Sequence, residues 1–182
     1  IHSRTDFDLS QHEKYSGKKI RYFDPEKNES YVPYVIETSI GLDRTFLAVL
    51  SNSYTEEQVK SAEGTMEERV VLKLPAALAP VKVCVMPLVK KDGQPETARR
   101  IIDMLKLDYN CQYDEKDSIG KRYRRQDAIG TPLCVTVDHQ TAEDNAVTVR
   151  DRDTMEQVRI PITELPALVD KKVSMRRLLE KL

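Results

Sequence analysis

Glycine is scarce in this chain: its six glycines are isolated from one another, so neither common type of glycine-rich phosphate loop can be built from them. Cysteine is scarcer. Cys84, Cys111 and Cys134 are odd in number and widely spaced, which fits neither a disulfide framework nor a zinc site, and reduced thiols inside a cytosolic core are expected. His2, His12 and His139 lack metal-ligand spacing, and no nucleophile–base–carboxylate pattern is discernible, so no bound metal is expected. No apolar run approaches the roughly 20 residues that a bilayer span requires, and no signal peptide opens the chain. A large excess of one charge is missing too: the net charge is −1, which excludes a surface basic throughout.

What is present is an ordinary globular composition, 40% hydrophobic and 32% charged over 182 residues, enough for one sizeable core or two modest ones. The charge is unevenly spread. Residues 1–70 hold 9 Lys and Arg against 13 Asp and Glu, whereas residues 71–182 hold 20 against 17. That asymmetry weakly favours an RNA partner for the second half.

Residues 1–9 alternate in polarity and predict a strand, with His2, Arg4, Asp6 and Asp8 on its polar face. Residues 20–23 and 30–39 predict two more strands across the turn-rich stretch 24–29, and a helix follows over about residues 41–51. Residues 52–70 are polar and suggest a surface insertion or connector. Pro75 and Pro80 mark the approach to a second domain. There, 81–88 predicts a buried strand, 95–106 a helix with Pro95 in its first turn, and 110–115 a short strand. A basic helix over 118–128, a strand over 133–137, a pair over 146–150 and 155–160, and a final helix from about 163 with a break near Pro166 complete the pattern. Strands alternating with helices imply an α/β fold with a mostly parallel sheet.

The most informative stretch is Tyr34 to Leu50. An apolar strand (Val35, Ile36) runs into Glu37, Thr38 and Ser39, Gly41 breaks it, and Arg44 falls in the first turn of an apolar helix. A helix start offers unpaired N–H groups and a positive dipole end, both suited to phosphate. An arginine there adds a planar fork for bidentate phosphate contact. Glu37 and Ser39, at the strand end, suit an ammonium group. Lys121-Arg122-Tyr123-Arg124-Arg125 forms a second candidate, with cations for RNA phosphates and planar groups for base stacking. Lys90 and Lys91 are comparable candidates, and Arg150 and Arg152 weaker ones.

The strand–turn–helix resembles motif 3 of class II aminoacyl-tRNA synthetases. Val35-Ile36-Glu37-Thr38-Ser39 before Gly41-Leu42-Asp43-Arg44 looks specifically like the dimeric glycyl-tRNA synthetase family. Arg4-Thr5-Asp6-Phe7-Asp8-Leu9 followed by His12 is similar to the family's segment shortly before motif 3. Leu74-Pro75 through Pro87, with Ile129-Gly130-Thr131-Pro132, is similar to its C-terminal anticodon-binding domain. One departure is Thr38, where the family usually has proline.

The resemblance implies a fold and a division of labour. Residues 1–75 would be the remnant of an antiparallel class II catalytic domain, and residues 76–182 an anticodon-binding α/β domain with a mixed, mostly parallel sheet. Nothing resembles class II motif 1 or motif 2 and the first residue is Ile1, so the chain is expected to be the C-terminal piece of a longer ligase, inactive alone. By resemblance, Arg44 would hold the γ-phosphate of ATP, which enters with Mg²⁺. Glu37 would take the ammonium of glycine, helped by Ser39. Lys90, Lys91, Arg122, Tyr123, Arg124 and Arg125 would face glycine tRNA. The full-length protein would be a cytoplasmic homodimer with no membrane association. The rival expectation is a non-catalytic RNA- or DNA-binding accessory protein on the same scaffold.

Overall fold

The computed structural model describes residues 1–60 and 64–180, in two compact units, Ile1–Leu47 and Ala48–Leu182. Among the described residues no helix is long and apolar enough to cross a membrane.

The first unit is antiparallel. Strand β1 (His2–Thr5) gives way to helix α1 (Phe7–Ser16), and strands β2 (Tyr22–Asp24), β3 (Glu29–Tyr31) and β4 (Val35–Glu37) follow. Helix α2 (Leu42–Ser53) begins in this unit and ends in the second. β1 pairs with β4, setting His2 opposite Glu37 and Ser3 opposite Ile36. β2 and β3 form a hairpin on which the Tyr22 and Tyr31 rings meet edge to face, 5.8 Å apart.

Two expectations are corrected here. The strand expected over 1–9 stops at Thr5, which turns to a φ of +52°, and the chain becomes helical from Phe7. The polar face is therefore broken up. Asp8 lies in the first helical turn, where a carboxylate meets the positive dipole end, and Arg4 reaches forward to it with two hydrogen bonds of 2.8 and 2.9 Å. Gly17, at φ +67°, ends the helix by donating its N–H to the Glu13 carbonyl. The single strand expected over 30–39 is two strands in different sheets, separated by a non-strand stretch containing Pro33, which has no N–H to give a ladder.

In the second unit, the stretch expected over 52–70 as a surface insertion or connector is instead occupied, among the described residues, by two strands in regular antiparallel pairing, β5 (Tyr54–Lys60) with β6 (Met66–Leu72), from Tyr54↔Leu72 to Lys60↔Met66; residues 61–63 of that stretch lie outside the described residues. Its inner face carries Val59, Val71 and the fully buried Arg69, and it packs on helix α4 described below. A single 3-10 turn (Ala76–Leu78) leads into strand β7 (Val83–Pro87). Then come helix α3 (Gln94–Leu105), strand β8 (Cys111–Tyr113), helix α4 (Ile119–Ile129), strand β9 (Leu133–Val137) and the short helix α5 (Thr141–Asp144). Strands β10 (Ala146–Asp151) and β11 (Gln157–Pro161) and helices α6 (Leu165–Val173) and α7 (Met175–Leu179) complete it.

The five-stranded sheet runs β11-β10-β9-β7-β8. β7 is parallel to both β8 and β9, and β10 is antiparallel to both of its neighbours, so the sheet is mixed, with its parallel part three strands wide. Side chains alternate across a strand, and here both faces are covered. Val83 and Val85 turn toward Ala98, Ile101 and Leu105 of α3 and Leu165, Val169 and Val173 of α6. Cys84, Met86 and Cys134 turn the other way, under Ile119 and Tyr123 of α4. Burial on both faces accounts for the unbroken apolar run in β7 and for that of β9, interrupted at Thr136 alone, whose hydroxyl bonds Tyr123. Ile101 and Leu105 are almost wholly buried, a removal from water worth about 1.5–3 kcal/mol each.

Candidate functional site

The strand–turn–helix of the first unit has the form its sequence suggests. β4 ends on Glu37, residues 38–41 turn, and α2 starts at Leu42. The Gly41 carbonyl accepts the Thr45 N–H at 3.0 Å and the Thr45 hydroxyl at 2.9 Å, which closes the first turn. Arg44 lies in that turn and its aliphatic stem passes over Gly41, 3.9 Å from where a Cβ would stand. Ser39 and Arg44 are exposed, and Arg44 has no ion-pair partner among the described residues. The Glu37 carboxylate is half exposed and 3.5 Å from Nε of Arg4 on the paired strand.

That pairing was not foreseen from the sequence. Arg4 has its fork on Asp8, holds the Asp8 carboxyl below its usual range through those hydrogen bonds, and presents an edge to Glu37 as well. The element thus offers an acceptor already oriented beside a cation, and an unpaired guanidinium at a helix start. Chemically, such a pair suits a small zwitterion at one end and a phosphate chain at the other.

The basic run of the second unit is distributed differently from the expectation. A helix turns about 100° per residue, so five consecutive residues cannot share one face. Arg122 and Tyr123 fall on the inner stripe of α4. Arg122 is 4% exposed and donates to the carbonyls of Asp117 (2.9 Å) and Pro87 (2.5 Å). Tyr123 bonds Thr136 through its hydroxyl (2.7 Å), and the Arg150 guanidinium lies over its ring at 4.8 Å. Burial pushes the Tyr123 phenol up. Arg122 has no face left for RNA, which corrects its expected role, and partly buried Tyr123 spends its hydroxyl and one ring face on the interior; both bolt α4 to the sheet. Arg150 and Arg152 are buried as well and serve the interior.

Arg124 and Arg125 are nearer solvent but engaged. Arg124 sits 3.6 Å from Glu67 and 3.8 Å from Asp127. Arg125 binds Asp114 and Asp117, at 2.8 Å each, and its hydrogen bond holds the Asp117 carboxyl below its usual range. Lys121 is exposed on the same helix. Lys90 and Lys91 stand in the loop after β7, Lys90 3.8 Å from Glu115. Close by, Gln94 at the start of α3 bonds His139 at 3.3 Å, and His139 is 3.8 Å from Asp92. These loops lie at the carboxyl ends of parallel strands β7 and β9, where open α/β sheets tend to bind ligands.

Another concave surface of this unit is lined by Lys73, Arg152, Lys171, Lys172 and Arg177. Four of these cations are already paired, with Glu57, Asp153, Asp151 and Glu180 respectively, so it has little free charge for an anion. Burial pushes the Cys84 thiol up to about 12, Cys134 well above its ordinary value and the half-buried Cys111 up as well, which disfavours in all three the thiolate that reacts.

Residues 82–172 match a family model described as an anticodon binding domain. A glycine–tRNA ligase of Chlorobaculum tepidum is 56% identical over 164 residues, covering 90% of this chain and 34% of the relative. One from Geobacillus thermodenitrificans is 53% identical over 174 residues, covering 96% and 36%. The chain therefore spans about a third of the length of these curated relatives. Among solved structures, a prolyl-tRNA synthetase from Cryptosporidium parvum complexed with L-proline and AMP matches 68% of this chain and 32% of its own, with a TM-score of 0.52 at 24% identity. The RNA binding domain of a threonyl-tRNA synthetase from Cryptosporidium parvum Iowa II covers 56% of this chain and 26% of its own at TM-score 0.50 and 22% identity. At that identity the two structures speak to the fold.

Proposed function

Since the chain belongs to the anticodon-binding-domain family, with residues 82–172 carrying the match, we propose that it is the C-terminal part of a glycine–tRNA ligase. In this reading residues 76–182 bind the tRNA anticodon. Residues 1–75 supply the motif 3 element of a class II catalytic domain whose remainder lies upstream. The observation that carries the proposal is the pairing of 56% identity over 90% of the chain with a strand end, turn and helix start that hold Glu37, Ser39 and Arg44 in order.

The mechanism follows from those groups. Glu37, steadied by Arg4, takes the ammonium of glycine, and the Ser39 hydroxyl oxygen accepts from it alongside. Arg44 binds the γ-phosphate of ATP, which brings Mg²⁺ with it. Glycine's carboxylate oxygen attacks the α-phosphorus, the bond to the bridging oxygen breaks, and pyrophosphate leaves with its negative charge balanced by the guanidinium. A terminal ribose hydroxyl of the tRNA then takes the glycyl group from the adenylate and releases AMP. Rejection of larger amino acids is mainly steric. The RNA surface consists of Lys90, Lys91 and Lys121, with Arg124 and Arg125 at its margin. The full-length ligase acts as a cytoplasmic homodimer.

The test is Arg44→Ala in the full-length protein. Glycine-dependent ATP–pyrophosphate exchange should fall by roughly 10²-fold or more, as for loss of a charge-stabilising group, with tRNA affinity unchanged. Exchange left intact would take Arg44 out of the ATP site, no exchange by the unaltered full-length protein would point instead to a non-catalytic accessory protein, and a matching fall in tRNA affinity would move Arg44 to RNA binding.

A further inference from the structure

Two loops meet at the carboxyl ends of β7 and β9, and a buried amide ties them together. The loop after β7 turns through Asp92 and Gly93, at φ +60° and +71°, into the start of α3. There Gln94 is 3% exposed, and its side chain is engaged at both ends. Oε1 accepts the Val89 N–H at 3.0 Å, and Nε2 lies 3.3 Å from Nδ1 of His139, in the loop after β9. That second loop is itself held. The Asp138 carboxylate accepts the N–H and the hydroxyl of Thr141 at 3.1 Å each, and Arg159 donates to its other oxygen at 2.8 Å.

This chain of donors fixes where the imidazole carries its proton. A backbone N–H only donates, so the Gln94 atom facing Val89 is the oxygen and the group facing His139 is the NH2. An amide NH2 only donates too. Nδ1 of His139 therefore accepts, and the neutral ring holds its proton on Nε2. Asp92 stands 3.8 Å from the same Nδ1, beyond hydrogen-bond reach, and leaves the arrangement in place.

The His139 side chain is 60% exposed, and its Nε2 has no partner among the described residues. The result is a free N–H donor on an exposed ring whose orientation is set from inside the protein. Charge for phosphate is supplied next to it: Lys90 reaches Glu115 only at 3.8 Å, and Lys91 has no ion-pair partner among the described residues. A neutral donor in a fixed orientation adds what lysines lack. It accepts a base edge that presents an acceptor and leaves an edge that presents an amino group unpaired.

We propose that His139 is a specificity-determining residue of the RNA site. Its Nε2–H bonds a carbonyl oxygen or ring nitrogen on the edge of one unstacked anticodon base, while Lys90 and Lys91 hold adjoining phosphates. Gln94 is the positioning residue, acting through the tautomer it imposes. The proposal deepens, and rests on, the reading of residues 76–182 as an anticodon-binding domain.

The experiment measures binding of the 182-residue chain to glycine tRNA and to three versions of it, at two salt concentrations. Each version has one anticodon base exchanged so that donors and acceptors on its edge are swapped. His139→Ala should remove about fivefold of discrimination at one of the positions that the unaltered chain reads, with the salt dependence unchanged. Lys90→Ala should instead weaken all four RNAs alike and lower the salt slope by roughly 0.7–1. His139→Gln, which returns an amide N–H near the place of Nε2, should recover part of the discrimination that alanine loses. Discrimination unchanged in His139→Ala, or an equal weakening of all four RNAs, would overturn the proposal. Without RNA, nitrogen chemical shifts of the neutral His139 ring should report the Nε2–H tautomer, and Gln94→Glu, which offers Nδ1 an acceptor in place of a donor, should switch it to Nδ1–H. An unaltered ring protonated on Nδ1, or one indifferent to Gln94→Glu, would overturn the proposal as well. An unaltered chain that binds all four RNAs equally would instead sink the anticodon reading, and this proposal with it.

Discussion

Arg150 closes both prongs of its guanidinium on Asp127, at 2.8 and 3.1 Å, with neither side chain more than 5% exposed. Because Arg69 binds the same carboxylate from the hairpin, one acid neutralises cations from two directions. Removing it takes from buried Arg150 the carboxylate it pairs with and leaves buried Arg69 with Glu57 in its place. Asp127→Ala is therefore expected to cost about 3–5 kcal/mol of unfolding free energy, read from urea denaturation of the 182-residue chain. A loss below about 1 kcal/mol, the range of an exposed pair, would show that this ion cluster is open to water.

Gly130 ends α4 at φ +82°, and a Cβ there would stand 2.9 Å from the carbonyl oxygen of Leu72, a backbone atom. Gly130→Ala meets a conformational penalty and a collision together. The expected destabilisation is about 2–3 kcal/mol, measured as a shift in denaturant midpoint. A neutral result would mean the hairpin does not approach α4 this closely.

The acid limb of stability should depend on Arg159. Burial is the largest single influence on the Asp138 carboxyl and would raise it, but the hydrogen bonds from Arg159 at 2.8 Å and from Thr141, with the charge of Arg159, together outweigh it and hold the group low. Asp144, bonded by the same arginine at 2.7 Å, is lowered chiefly by that bond. Carboxyls depressed in the folded state stabilise it fully above their unfolded value of about 4, and that contribution disappears as pH falls through the folded values. Arg159→Gln should accordingly lower stability at neutral pH and flatten its decline below about pH 4. Parallel pH profiles for the two proteins would contradict the assignment.

Much of the sheet was legible because its signals are apolar and periodic. Residues 133–137 form the strand expected of them, and α3 begins at Gln94, one residue before the proline that suits a first turn. Pro166 was read as a helix break, yet it occupies the first turn of α6, where its missing N–H costs nothing, and the interruption comes at Ser174 instead. The pairing of β5 with β6 is illegible for a different reason. Its inward positions Thr55, Glu57 and Arg69 are polar, and their alternation reads as a buried face only once Asp127 is seen to meet them. The same cause misled the reading of the basic run: four cations in sequence look like a solvated patch, until the helical turn places Arg122 inside. At the strand–turn–helix, Glu37, Ser39 and Arg44 could be singled out from their order, whereas the Arg4 support depends on pairing between β1 and β4 that no local pattern announces.

The most direct test of the account is a titration of the chain with glycine tRNA and with the same tRNA carrying an altered anticodon, each at two salt concentrations. Base reading predicts that the intact tRNA binds at least about tenfold more tightly at both salts, while both affinities fall together as salt rises, because phosphate contacts are common to the two. Equal affinity for the two RNAs at either salt would reduce the interaction to general charge attraction and contradict an anticodon-reading domain.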